Sequence, residues 1–170
     1  MSDTHDSAQT ARELGERYAD EIIALRRHFH QHPELSAKEF ETSAYIRERL
    51  DELGIPYERI EGPRPADDRE ERDEFIGTGI IATIRGEADG AYDAEGQPSR
   101  RVALRCDMDA LPVTEKTGLP FASQNDGVMH ACGHDCHMAM QLGAAHILAS
   151  MRDQLRGEVR LIFQPAEEIS

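Results

Sequence analysis

Only two lysines, Lys38 and Lys116, occur in the 170 residues, so arginine carries nearly all the positive charge. Against 19 basic residues stand 33 acidic ones, a net charge of −14. That balance argues against nucleic-acid binding, which needs a basic surface to replace the counterions along the phosphates. A lysine-poor, acidic surface also suits adaptation to high salt, where screening relieves self-repulsion; an acidic protein from a GC-rich genome is the alternative. No apolar run approaches membrane-spanning length, and the start, Met1-Ser2-Asp3-Thr4-His5-Asp6, lacks the basic and apolar regions of a signal peptide. The expectation is a cytoplasmic protein that engages neither membrane nor nucleic acid. Cysteine is scarce. Cys106, Cys132 and Cys136 are odd in number and come without a secretory signal, which argues against a disulfide framework and towards metal binding or catalysis. What is present, 39% hydrophobic and 31% charged residues, suffices for one domain with a core.

Periodicity supplies the elements. Leu14, Tyr18, Ile22, Leu25 and Phe29 recur at helical spacing and predict one helix over 8–31, closed by Pro33. Phe40, Ala44, Ile46, Leu50 and Leu53 predict a second over 36–53, ended by Gly54 and Pro56. The charged, proline-bearing stretch 62–76 has no periodicity and reads as a loop or insertion, and 86–99 as a hairpin-like or irregular connection. Short apolar runs predict strands over 78–85, 102–106 and 159–163, with a helix rich in Ala, Leu and Met over 135–151 between the last two. Strand, helix, strand implies a βαβ unit and an α/β fold: a three-layer sandwich with a mostly parallel central sheet.

In such sheets functional residues collect at the carboxyl ends of strands. Asp107-Met108-Asp109 and Glu167-Glu168 each follow a strand, and Cys132 and His134 lie in the loop that enters the helix. Cys132, His134 and Glu168 offer a thiolate, an imidazole and a carboxylate, a ligand set for zinc or another divalent first-row metal. Gly133 lets Cys132 and His134 turn to one point. Adjacent Glu167 and Glu168 can divide the work, one carboxylate on the metal and the other taking a proton from metal-activated water. Blander readings compete. The Glu-Glu pair alone suits a solvated turn, Cys132 alone a buried small hydrophobe, Asp109 a turn cap and Asp135 a helix cap. A structural zinc knot of Cys132, His134, Cys136 and His137 would have to draw four ligands from six consecutive residues. Cys106, Cys136, Met138 and Met140 read as packing residues. His28, His30 and His32 read as helix C-terminal residues favoured by the dipole.

Four motifs in order, Arg26-Arg27-His28-Phe29-His30-Gln31-His32-Pro33-Glu34-Leu35, Leu104-Arg105-Cys106-Asp107-Met108-Asp109-Ala110-Leu111-Pro112, His130-Ala131-Cys132-Gly133-His134-Asp135 and Gln164-Pro165-Ala166-Glu167-Glu168, resemble the M20 family of metallopeptidases. They are most similar to its amidohydrolase branch of hippurate and indole-acetyl-amino-acid hydrolases. The resemblance implies an α/β catalytic domain that binds two divalent ions (zinc, manganese, cobalt or nickel) and hydrolyses N-acyl amino acids or peptides. It implies that Cys132 bridges the ions, that His134 and Glu168 are terminal ligands, that Glu167 is the general acid/base and that Asp109 is an orienting acid. Cys106, where the family commonly has a small residue, departs mildly from the pattern. The family's two further histidine ligands and its lid domain have no counterpart among these residues. The chain therefore reads as the N-terminal portion, 1–170, of a catalytic domain, expected to be inactive and poorly stable alone. A homodimer of a longer parent is left open. A dipeptidase or aminopeptidase of the same family and a non-catalytic metal-binding fragment are the alternative readings.

Overall fold

A computed structural model of the chain describes residues 2–60 and 77–169, so the loop expected over 62–76 lies outside the described residues. Among the described residues, four α-helices, α1 (Ser2–Arg17), α2 (Ala19–Gln31), α3 (Phe40–Glu52) and α4 (His134–Ser150), accompany four strands, β1 (Tyr57–Ile60), β2 (Gly79–Arg85), β3 (Arg101–Asp107) and β4 (Glu158–Gln164). None of the described helices is long and apolar enough to cross a membrane.

The strands form one sheet in the order β1-β2-β4-β3. β3 and β4 are parallel and joined by α4, which is the expected βαβ unit. The sheet as a whole is mixed, not mostly parallel, because β2 runs antiparallel to both β1 and β4. The reason lies in the connection from β2 to β3. It contains no helix and stays at one end of the sheet: Arg85, which ends β2, and Arg101, which opens β3, both lie in register with Glu158. A connection that returns at the end where it left reverses the strand direction, whereas a parallel pair needs a crossover.

Other boundaries moved for local reasons. The helix expected over 8–31 is two, broken at Tyr18, whose φ of −93° and ψ of 6° leave the helical region. Its ring stacks on His146 of α4, with centroids 3.8 Å apart. α3 starts at Phe40 rather than at residue 36, because Ala37 adopts φ 61° and interrupts the helical backbone. The Glu34 carboxylate accepts the first-turn N–H groups of Glu41 and Thr42 at 3.1 and 2.8 Å, so the cap comes from outside the helix. β1 escaped the sequence reading. It is four residues long with two exposed charged positions, too short to show a period.

One side of the sheet carries the core. Ile80, Ala82 and Ile84 of β2 and Leu161 and Phe163 of β4 pack against Leu25 and Phe29 of α2, Ile46 and Leu50 of α3, and Met138, Leu142 and Ala145 of α4. Alternation with period two puts Ile81, Thr83 and Ile162 on the other face, where they are only half-buried. Cys106 and Met138 are packing residues as expected, but Met140 is 58% exposed and does not belong to the core. It projects beside Leu104 and Ala144 along the free edge of β3.

Candidate metal centre

β3 and β4 end at the same edge of the sheet, and α4 begins there, so Asp107, Asp109, His134, Glu167 and Glu168 converge as the topology requires. Gly133, at φ 96°, is the N-cap of α4 and supplies the left-handed turn between Cys132 and His134. The His134 ring is buried, and its Nδ1–H donates to the Asp109 carbonyl at 2.8 Å. That bond fixes the tautomer and leaves Nε2 as an acceptor pointing outward. Around Nε2 stand Glu168 Oε1 at 3.8 Å, Glu167 Oε2 at 3.9 Å and Asp107 Oδ2 at 4.0 Å.

Asp109 is 1% exposed and serves as the organiser. Its Oδ2 accepts the Ser36 hydroxyl at 2.6 Å and the Glu168 backbone N–H at 2.9 Å, while its carbonyl holds His134. One residue thus bonds to a ring and to a backbone position of the cluster.

Ligand atoms of Cys132, His134 and Glu168 all lie within 4.8 Å of one another, and so do those of Asp107, His134 and His137. Since Nε2 can serve only one ion, the two groups are alternative seats around one imidazole. Among the described residues no such group contains Cys136, which removes the four-ligand knot. The donor set fits a divalent first-row ion. Glu168 Oε1 is buried without a hydrogen-bond partner, a state that a cation relieves. The Cys132 thiol is pushed up, first by its hydrogen bond to Glu168, then by burial and by the negative charges of Glu168, Glu167 and Asp107. A bound cation reverses that electrostatic sign.

Four residues have surroundings that went unread in the sequence. Asp107 faces Nε2 with one oxygen while Arg105 holds the other at 2.5 Å. Asp135 sits in the first turn of α4 and accepts the Cys136 N–H, yet its second oxygen is turned inward to His30 at 2.7 Å and Arg26 at 3.0 Å. His30 also meets Glu115 at 3.1 Å, so this ring, expected to answer only to a helix dipole, is buried between two carboxylates. His130 is 4% exposed, and burial pushes its ring down to about 4, keeping it neutral. His28, by contrast, stacks on Tyr45 in a cleft of about 420 Å³ between α2 and α3 whose lining includes none of the ligand residues.

With this geometry in hand, comparison with known proteins is specific. Residues 103–170 match the model of peptidase family M20/M25/M40. The N-acetyl-L-cysteine deacetylase of Bacillus subtilis (strain 168) is 48% identical over 148 residues, 87% of this chain and 30% of the relative. Thermostable carboxypeptidase 1 of Saccharolobus solfataricus is 46% identical over 149 residues, 88% of this chain and 32% of the relative. Among solved structures, the YXEP protein of Bacillus subtilis, a dinuclear metal binding peptidase from the M20 family, superposes with a TM-score of 0.71 at 42% identity, covering 91% of this chain and 37% of that one. The chain thus spans about a third of the length of these relatives.

Proposed function

We propose that the chain belongs to peptidase family M20/M25/M40, whose model matches residues 103–170, and that it contributes part of the active site of a cytoplasmic metal-dependent hydrolase that cleaves the amide bond of an N-acyl amino acid. The observation that carries this reading is the meeting of Cys132, His134 and Glu168 at the carboxyl edge of the sheet. These three residues hold a divalent ion, with zinc, manganese, cobalt and nickel all compatible with a thiolate, imidazole and carboxylate set. Two ions per complete protein agree with the dinuclear character of the YXEP neighbour.

A bound ion supplies Lewis acidity, polarising the scissile carbonyl and acidifying the attacking water. The chain's own residues do the rest. Glu167, whose side chain is 37% exposed and 3.9 Å from His134 Nε2, faces the space where substrate and water meet. It takes the proton as the water oxygen bonds to the carbonyl carbon, then delivers it to the amide nitrogen as the C–N bond breaks. Glu168 stays out of this shuttle, because its backbone is tied to Asp109 and its Oε1 is turned to His134. Asp109 keeps the His134 tautomer and ring plane correct.

A substrate panel tests the reading, run on a protein that carries this sequence at the full length of its relatives. N-acetyl and N-benzoyl amino acids are expected to turn over, and a chelator to stop them. The carboxypeptidase relative favours a second reading, peptide hydrolysis by the same site. Turnover confined to dipeptides selects it, and no turnover of either class with the ion bound leaves a metal-binding module.

A further inference from the structure

Among the described residues, two other than glycine have left-handed backbone, Ala37 at φ 61° and Ala166 at φ 56°. They are 129 positions apart, yet both donate their backbone N–H to the same atom, Glu39 Oε1, at 3.0 and 2.8 Å. Oε2 of the same carboxylate accepts the Thr78 hydroxyl at 2.8 Å. Glu39 is fully buried and is the N-cap residue of α3, but its side chain makes no bond to that helix. The first-turn N–H groups are taken by Glu34 instead, which frees Glu39 to reach across to the end of β4. A buried carboxylate with three donors converging on it is costly to place and is kept only where the surroundings need it.

What it holds is the turn that presents the two glutamates. Ala166 immediately precedes Glu167, and an alanine in the left-handed region is strained unless its neighbours fix it there. We propose that Glu39 is a positioning residue for Glu167 and Glu168: its bond to the Ala166 N–H locks the strained turn that aims both carboxylates at His134. The segment 36–39 grips this turn twice, since Ser36 donates to the Asp109 oxygen that also accepts the Glu168 N–H. The inference rests on the roles given above to Glu167 and Glu168.

The test combines amide exchange with cobalt titration of a protein that carries this sequence at the full length of its relatives. Glu39→Ala is expected to speed exchange at Ala166 and Ala37 and to weaken cobalt affinity roughly 10- to 100-fold. Glu39→Gln, which keeps an acceptor oxygen for both amides, restores affinity close to that of the parent. In a Glu168→Gln background, Glu39→Ala adds little further loss, because both changes disable the same ligand. Additive losses, or unchanged exchange at Ala166, overturn the proposal. If Glu39→Ala does not fold, Glu39→Asp withdraws the carboxylate by one methylene and shows the same two changes in smaller measure; parental exchange and affinity in that variant overturn it equally. A Glu168→Gln chain that binds cobalt as tightly as the parent discards Glu168 as a ligand, and with it the functional reading, while exchange at Ala166 still decides the clamp.

Discussion

Glu167→Gln, in a protein carrying this sequence at the full length of its relatives, is expected to lose turnover by about 10²- to 10⁴-fold, the range for removal of a general acid/base, while its ion content stays that of the parent. Two adjacent glutamates follow β4, and the structure separates them by anchorage. Glu168 has its N–H on Asp109 and a buried, partnerless Oε1 within 3.8 Å of His134 Nε2, the situation of a ligand. Glu167 has the more exposed side chain, 37% against 20%, as a group that must meet water and substrate requires. Glutamine keeps the shape of Glu167 but cannot take a proton, so kcat falls and the ion remains. Loss of the ion from Glu167→Gln, with turnover lost only because of it, would show that the two roles are reversed.

The second large effect falls on stability. Asp135→Ala is expected to destabilise the chain by about 3–5 kcal/mol, the cost of removing one partner from a buried ion pair, read as a shift of the denaturant midpoint at constant slope. Asp135 is 1% exposed and joins His30 and Arg26. Arg26, 31% exposed, can recover water when Asp135 is gone, but the His30 ring, 3% exposed, cannot. Deleting Asp135 therefore leaves the ring nitrogen that faces it buried and without a partner. Acid sensitivity comes from the other side of the ring. Burial raises Glu115, but the Ser123 N–H, the Thr117 hydroxyl and His30 outweigh it and hold the carboxyl at about 2. Its folded value lies below the ordinary 4.5, so its contribution is present above about pH 4.5 and is lost as pH falls towards 2. Glu115→Gln should therefore flatten the pH dependence of stability in that window.

The site was legible because its chemistry is local. A thiolate and an imidazole on either side of a glycine, and two glutamates after a strand, are read from neighbouring residues. One parallel βαβ unit then suffices to bring them together. That Nε2 is the nitrogen of His134 left free to face a cation was not legible, since it depends on the Asp109 carbonyl 25 positions away. The same holds for His30, whose carboxylate partners stand 85 and 105 positions distant, and for Glu39, whose three donors come from three segments. The mixed sheet was missed for a related reason. Apolar runs mark strands but carry no direction, and β2 is reversed by a helix-free connection whose return is set by pairing with β4. Met140 shows the limit of composition: an apolar residue on an apolar helix still faces outward when its position is off the packed side.

The central claim is that Cys132, His134 and Glu168 act as one ligand set, and cobalt titration of a protein carrying this sequence at the full length of its relatives tests it most directly. Binding should bring up a thiolate-to-cobalt charge-transfer band that disappears in Cys132→Ser, with affinity falling sharply in His134→Ala and Glu168→Gln. A chain that binds cobalt without that band, or with equal affinity in all three variants, would contradict the account.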